Sequence, residues 1–297
     1  MKRISGFAVR LFLLAVSLSL FSCESRKDNG LKVISYNIRF GYADDGSNNW
    51  DIRKPASIAM INEQKPDIFG LQEAVDFQVF YLEENLPEYK SIGVGREDGA
   101  LKGERMAIFY DTTRVALLDW GTYWLSETPY VPSYGWGAQC KRTATWAKMK
   151  HLPSRHEFFY VNTHLDHVSS EARKNGLLLI VREVANMNPD NLPMILTGDF
   201  NMPPTSSDLD GLNAIMTSAR SSAVDSDDKG SFNGWGLYGN SDSAPTWDGP
   251  APTTPMQIDY IYYSNFSQCR SFRVLDRRYL DVEYISDHYP VCAELEF

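Results

Sequence analysis

Short apolar runs separated by polar turns recur along the chain from residue 31 to the C-terminus. Runs of this length that are rich in β-branched and aromatic residues predict strands. These predicted strands cover residues 31–38, 67–72, 105–110, 115–124, 142–150, 157–162, 257–263, 268–275 and 289–297, and residues 192–196 lead into Asp199 as a further strand.

Four segments between these strands have apolar residues at helical spacing. The first predicted helix has Pro55 in its first turn, and Asp76 is expected to cap the second. The third runs from Ser169 or Ser170 to about Met187, and the fourth from about Ser206 to Thr217. Many strands with a few helices predict two packed sheets flanked by helices.

Polar side chains stand where several predicted strands end. If the two sheets pack face to face, these side chains can meet in one cleft. The residues concerned are Asn37, Glu73, His164, Asp199, Asn201 and His288. Clustered carboxylates repel one another unless a cation lies between them, and a hard divalent cation takes oxygen ligands. The pattern therefore indicates metal-assisted chemistry on phosphate esters.

The N-terminus has the pattern of an exported protein. A basic start precedes an apolar stretch over residues 11–21, which is too short to span a bilayer but suits a signal peptide over residues 1–22. The tetrapeptide ending at Cys23 is similar to a bacterial lipobox, so we expect lipidation of Cys23 and a polar tether over residues 23–30. Ordinary secretion, with Cys23 incidental, is the alternative. Lipidation predicts a cell-envelope protein, anchored to the membrane on the periplasmic side or at the cell surface.

The mature chain is acidic. Removal of residues 1–23 takes away three basic residues and no acid, which leaves 26 basic against 38 acidic residues, or a net charge of −12. Such a chain does not favour duplex DNA as a partner, because binders of polyanions usually carry a basic stripe. Three cysteines remain, and their number and spacing predict neither a complete disulfide set nor a zinc site.

About 270 residues remain after the leader, enough for one large sandwich or two small domains. The stretch 226–255, rich in Gly, Ser, Pro and Asn, is the best candidate for a boundary. Acidic motifs lie on both sides of it, so it is better interpreted as a long loop. We therefore predict one domain over residues 31–297.

Six short motifs follow one another in order across that domain. They are Ser35-Tyr36-Asn37-Ile38, Leu71-Gln72-Glu73, Asn162-Thr163-His164-Leu165, Gly198-Asp199-Phe200-Asn201, Ile258-Asp259-Tyr260 and Ser286-Asp287-His288. Each motif alone also fits a turn, a cap or a structural histidine, but the ordered set resembles the endonuclease/exonuclease/phosphatase superfamily, in a branch of secreted bacterial members. The resemblance implies an α+β fold, the four-layer α/β/β/α sandwich of DNase I, and a hydrolase of phosphate esters.

The resemblance also implies roles for the acidic and amide side chains. Glu73 would bind Mg²⁺ or Mn²⁺ directly, with Asn37 and Asp287 completing or supporting the metal site. Asp199 would orient or deprotonate the attacking water, and Asn201 would hold the phosphate or that water.

The histidines receive roles on the same basis. Asp259 would accept a hydrogen bond from His288 and fix its tautomer, so that His288 donates to a phosphate oxygen or transfers a proton. His164 would stabilise charge on the phosphorus centre. His167 could place a second imidazole at the cleft, but a supporting or loop position is favoured for it.

Substrate contacts are less specified by the sequence. Arg39 stands where abasic-site endonucleases carry an acidic residue, and it is either a cation that faces the phosphate or a surface arginine in a salt bridge. Further candidates for substrate binding are Arg105, Arg142, Trp235 and Trp247. The favoured partner is a small phosphorylated molecule, such as a sugar or lipid headgroup phosphate, and no protein partner is predicted. An envelope nuclease for single strands or oligonucleotides is one alternative, and a non-catalytic binding lipoprotein is another.

Overall fold

The computed structural model describes residues 29–236 and 256–297, in which thirteen strands and five α-helices form two packed sheets. The strands are β1 (Gly30–Asn37), β2 (Ile68–Gln72), β3 (Tyr89–Ile92), β4 (Ile108–Asp111), β5 (Val115–Trp124), β6 (Thr143–His151), β7 (Glu157–His164), β8 (Met194–Asp199), β9 (Thr217–Ser218), β10 (Asp225–Ser226), β11 (Asp259–Ser264), β12 (Gln268–Val274) and β13 (Val291–Glu296). The helices are α1 (Trp50–Gln64), α2 (Asp76–Asn85), α3 (Ser170–Met187), α4 (Asp210–Asn213) and α5 (Ala219–Ser222).

Each sheet mixes parallel and antiparallel pairs. The first has the order β10-β12-β13-β1-β2-β4-β3, and the second has the order β5-β6-β7-β8-β11-β9. The parallel pairs β1–β2 and β7–β8 lie in the middle of the two sheets, where buried strands are expected. Their carboxyl ends therefore bring the residues that follow them to a common edge.

Three apolar clusters define four layers. The largest lies between the sheets and includes Val33, Ile68, Tyr160 and Ile195. A second cluster packs α1 and α2 on the outer face of the first sheet, and a third packs α3 on the outer face of the second sheet. The α/β/β/α sandwich predicted from the sequence is confirmed.

A group of buried polar side chains interrupts the apolar core between the sheets. The Gln72 Nε2 donates to Asn162 Oδ1 at 2.6 Å, and the Asn162 Nδ2 donates to the carbonyl oxygen of Leu71 at 2.7 Å. Thr197 Oγ1 donates to the hydroxyl of Tyr160 at 2.8 Å. Because buried polar groups need partners, the two bonds of Asn162 to the first sheet fix the alignment of the two sheets.

Two helices begin differently from the prediction, and one is shorter. Helix α1 begins at Trp50 rather than near Pro55, since Asn49 accepts a hydrogen bond from the Ile52 N–H and Pro55 is tolerated inside the helix. Asp76 is the first residue of α2 rather than its cap, and its carboxylate pairs with Arg105. The helix predicted to Thr217 ends at Asn213.

Most predicted strands are present within two or three residues of their expected bounds. The sequence pattern did not indicate β3, a four-residue edge strand in which only Tyr89 and Ile92 are buried. Of the cysteines in the described ranges, Cys140 is half-buried, and Cys269 and Cys292 are buried. Within those ranges no helix combines the length and the apolar character that crossing a membrane requires.

Candidate active site

The strand-end residues meet at one edge of the sandwich. In the first sheet Asn37 pairs with Gln72, and in the second His164 pairs with Asp199, which itself pairs with Asp259. The two sets face each other across the gap between the sheets, and His164 and Asp199 border a cleft of about 500 Å³ there. Residues separated by more than 200 positions therefore share one site.

Asn37 joins the carboxylates of the two sheets. Its Nδ2 donates to Glu73 Oε1 and to Asp199 Oδ2, each at 3.0 Å. Glu73 follows β2 with a positive φ of 62°, which turns its side chain into the cleft, and its Oε2 accepts from the Phe40 N–H at 2.8 Å. The Asn37 Oδ1 is occupied by the Arg39 N–H at 3.0 Å. Asn37 thus supports the acidic cluster through its nitrogen.

Asp199 and Asn201 hold His164 on the second sheet. The Asn201 N–H donates to Asp199 Oδ1 at 2.9 Å in a tight turn, where Asn201 has a positive φ of 50°. The Asn201 Nδ2 donates to His164 Nε2 at 2.9 Å and to the carbonyl oxygen of Leu165 at 3.0 Å. His164 Nε2 lies 3.4 Å from Asp199 Oδ2.

His288 closes the site from the C-terminal segment. Its Nδ1 lies 2.8 Å from Asp259 Oδ2, so that the Asp259 carboxylate accepts the Nδ1 proton and directs Nε2 towards the cleft. That Nε2 lies 3.4 Å from Asn37 Nδ2 and 3.8 Å from Asp199 Oδ2. Phe232 packs edge-on against the imidazole, with ring centroids 5.0 Å apart.

Burial and neighbouring charges together set the charge states of Asp199 and His288. Burial raises the pKa of Asp199 to about 7, and the charge of Asp259 adds to this effect. Burial opposes protonation of His288, but Asp259, Asp199 and Asp287 together raise its pKa to about 10. At neutral pH His288 is therefore a cationic donor beside a carboxyl group whose protonation is nearly balanced.

The pKa values of three further groups in the site also depart from their usual ranges. Burial and the positive charge of Arg142 hold the pKa of His164 well below its usual range, so its imidazole is neutral. Burial opposes ionisation of Glu73, yet Arg39 and the hydrogen bond from Asn37 lower its pKa. Burial raises the pKa of Asp287, whose Oδ2 lies 3.5 Å from Arg39 Nη1.

The donor set fits a divalent cation. Ligand atoms of Glu73, His164 and Asp199 lie within 4.8 Å of one another, and Asp287 borders the same cleft. Burial raises the pKa of Asp199 and of Asp287, so a cation bound beside them would stabilise their ionised forms. The carboxylate oxygens of Glu73, Asp199 and Asp287 suit a hard ion such as Mg²⁺ or Mn²⁺. When bound, such an ion polarises a phosphoryl oxygen and stabilises charge on a leaving group.

Two of the three arginines predicted to bind substrate lie at the cleft, and the third does not. Arg39 and Arg142 border the cleft. Arg39 is also in a salt bridge, with its Nε donating to Asp45 Oδ2 at 3.0 Å, so the salt bridge predicted as one alternative is present and does not remove Arg39 from the cleft. Arg105 does not border the cleft: its guanidinium pairs with Asp76 and lies over the Phe80 ring, which removes it from the predicted set.

The predicted tryptophan contacts are not brought to the cleft. Trp235 packs against the Arg53 guanidinium, 5.4 Å from its ring centroid, and against Tyr284, and it does not border the cleft. Trp247 and Cys23 lie outside the described residues.

Glu104 borders the cleft beside Arg96, and the sequence did not indicate Glu104 as a site residue. Glu104 Oε2 accepts from Arg96 Nη1 at 2.6 Å and lies 3.9 Å from His164 Nδ1. One feature of the sequence could have indicated Glu104: it directly precedes the predicted strand 105–110, at a position expected to be buried, where an acidic residue is unusual. A larger cavity of about 730 Å³ lies beside Arg220 and Asp227, but it contains none of the residues at the common edge.

A model of the Endonuclease/Exonuclease/phosphatase family matches residues 34–288. The chain belongs to this family. It is accordingly a hydrolase that acts on phosphoester bonds. Enzymes of the family depend on divalent metal, in agreement with the donor set around Glu73 and Asp199.

Solved structures of similar sequence also support membership of this family, and a more distant one shares its fold. A mannosyl-6-phosphatase of Bacteroides thetaiotaomicron is 34% identical, with a TM-score of 0.80 over 90% of this chain and 100% of that chain. A family member from Bacteroides vulgatus is 33% identical, with a TM-score of 0.79 over 90% of this chain and 99% of that chain. D. rerio TDP2 in complex with a single-strand DNA product shares the fold alone, at 17% identity and a TM-score of 0.70 over 91% of this chain and 100% of that chain.

Proposed function

We propose that the protein is an Mg²⁺- or Mn²⁺-dependent phosphoesterase that hydrolyses a small phosphate ester, with a sugar phosphate or lipid headgroup phosphate favoured. The observation that carries this proposal is the convergence of Glu73, Asp199, His164 and His288 on one cleft. The likeness to a mannosyl-6-phosphatase over nearly the whole chain supports a sugar phosphate.

The side chains suit attack of water on phosphorus. Asp199, with a pKa of about 7, can accept a proton from water close to neutral pH. His288 is held protonated by Asp259 and can donate from Nε2 to a phosphate oxygen. Neutral His164 and the Asn201 amide lie beside Asp199, where they can position the water and a second oxygen. The chain thus supplies a base and a cationic donor within one cleft.

The test is hydrolysis by the purified mature protein. Mannose 6-phosphate, glycerol phosphate and a single-strand oligonucleotide are each supplied with Mn²⁺ or Mg²⁺, and phosphate or shortened strands are measured. We expect phosphate release from the small esters, its loss in EDTA and its return on addition of Mn²⁺. Turnover that EDTA leaves unchanged refutes the metal requirement, and cleavage of the oligonucleotide alone replaces the proposal by a nuclease.

The location at the cell envelope is a separate proposal that rests on residues 1–30 of the sequence. Lipidation of Cys23 predicts that the wild-type protein sediments with membranes. Cys23→Ser is expected to move it to the soluble fraction after cell lysis, and an unchanged distribution contradicts the anchor.

A further inference from the structure

Arg142 is a buried arginine at the wall of the active-site cleft. Its side chain is only 5% exposed, yet it borders the same cleft as His164 and Asp199. Nη1 of the guanidinium is buried and has no hydrogen-bond partner among the described residues. Leaving a buried, charged donor unpaired is costly, so this nitrogen points to an anionic ligand.

Asp166 holds the guanidinium in place. Its Oδ2 lies 3.4 Å from Arg142 Nε, and its two oxygens accept backbone N–H groups that include those of Gln139, Val168 and Ser169 at 2.9–3.1 Å. A carboxylate shared among so many donors only partly neutralises the arginine. The arginine therefore remains a fixed positive charge at the cleft wall.

His167 extends this group of donors. Arg142 Nη2 donates to His167 Nδ1 at 2.9 Å, which places the ring proton of the neutral imidazole on Nε2. Burial and the adjacent Arg142 lower the pKa of His167, in agreement with a neutral ring. His167 also borders the cleft.

The arginine lies close to the reacting centre. Arg142 comes directly before β6 and His164 ends β7, and these two strands pair in the register Ala144–Thr163, so the two residues are neighbours at the cleft. His164 Nε2 is 3.4 Å from Asp199 Oδ2. A phosphate group placed against His164 can thus have oxygens near Asp199 and near Arg142 at once.

We infer that Arg142 Nη1, together with His167 Nε2–H, binds a terminal oxygen of the scissile phosphate and thereby favours phosphate monoesters over diesters. A monoester dianion has three charged or partly charged terminal oxygens, whereas a diester presents a substituted ester oxygen in one of these positions. An ester oxygen carries little charge, and its substituent would meet the closed wall at Arg142. The inference rests on the proposed phosphoesterase function.

The test compares two substrates in the Mn²⁺-loaded enzyme. Arg142→Gln is expected to lower kcat/KM for p-nitrophenyl phosphate by about 10- to 150-fold, the usual loss of a hydrogen bond to a charged group. For bis-p-nitrophenyl phosphate we expect a change within about threefold. In this variant, competitive inhibition by inorganic phosphate should weaken in parallel with the fall in kcat/KM for the monoester. Inhibition by dimethyl phosphate should stay unchanged. Because p-nitrophenyl phosphate has a single phosphate group, a fall in its kcat/KM cannot come from lost contacts to a second anionic group of the substrate.

Arg182→Gln is the matched control, since Arg182 is 65% exposed on α3 and pairs only with its neighbour Glu183 in the described structure. Equal losses on both esters, or an unchanged phosphate inhibition constant, overturn the inference and leave Arg142 with a structural role. If Arg142→Gln does not fold, His167→Ala supplies the same comparison, with a smaller loss expected on the monoester alone. A wild-type protein that cleaves neither ester refutes the proposed function, and titration with inorganic phosphate still tests the anion site.

Discussion

At the residue scale, the pKa of Asp199 is set by groups that raise it and groups that lower it. Burial and the nearby Asp259 raise its pKa, while His288 and the hydrogen bonds from Asn201 and Asn37 lower it, with a value of about 7 as the result. A divalent cation bound beside it favours the carboxylate and lowers the pKa further. The base form is therefore present at neutral pH in the loaded enzyme.

This balance predicts the acid limb of the pH–rate profile. A general base acts only when deprotonated, so kcat/KM should fall as the pH drops through the Asp199 pKa, at about 7 or below. Asp199→Asn should lower kcat by roughly 10²–10⁴-fold and remove this limb. The measurement is kcat/KM between pH 5 and 9, with the exposed Asp119→Asn on β5 as control. A variant that keeps both rate and limb contradicts the role.

The adjacent residues Glu104 and Arg105 show that the sequence could not predict which of two neighbouring side chains faces the cleft. Glu104 borders the cleft, whereas Arg105 turns to Asp76 on α2. Adjacent side chains in an extended segment point to opposite sides, so a shift of one residue exchanges the two roles. The sequence placed Arg105 in the predicted site because nothing local fixes which side faces the cleft.

At the element scale, Gly70 allows the two sheets to approach under the cleft. A Cβ at this position would lie 2.5 Å from Asn162 Oδ1 and 2.8 Å from Thr197 Oγ1. Both atoms belong to the polar group that joins β2 to β7 and β8. The absence of a side chain at Gly70 thus permits the hydrogen bonds that align the two halves of the site.

Gly70→Ala is expected to reduce the free energy of unfolding by about 1–3 kcal/mol, because the added methyl overpacks a buried site. Urea denaturation with an unchanged m-value measures the effect. Gly211→Ala in α4 is the control, since its Cβ meets only Leu178 Cδ2 at 3.8 Å and alanine favours a helix. Equal stability of Gly70→Ala and the wild type contradicts this account of the sheet contact.

At the scale of the whole molecule, the acidic cluster joins the two sheets. Glu73 follows a strand of the first sheet, and Asp199 ends a strand of the second. Their carboxylates repel when the sheets close, and a cation between them converts this repulsion into attraction. Binding of the cation is therefore coupled to folding of the whole sandwich.

A saturating cation should raise the melting temperature. At a concentration 100 times its Kd it adds about 2.7 kcal/mol, which corresponds to roughly 5 °C for a chain of this size. Calorimetry with and without Mn²⁺ at fixed ionic strength measures the shift. Glu73→Gln should reduce the shift, and Glu84→Gln, exposed on α2, should not. A melting temperature indifferent to millimolar Mn²⁺ counts against the metal site.

The sequence by itself determined the alternation of strands and helices, the two-sheet class and the acidic, amide and histidine residues at strand ends. These follow from local periodicity and from residue chemistry, which each segment carries independently. Only the tertiary structure decided that Arg142 rather than Arg105 reaches the cleft, that Glu104 belongs to it and that Asn37 faces the carboxylates with its nitrogen. Those outcomes depend on strand register and on the distance between the two sheets, which are set by contacts between residues remote in the chain.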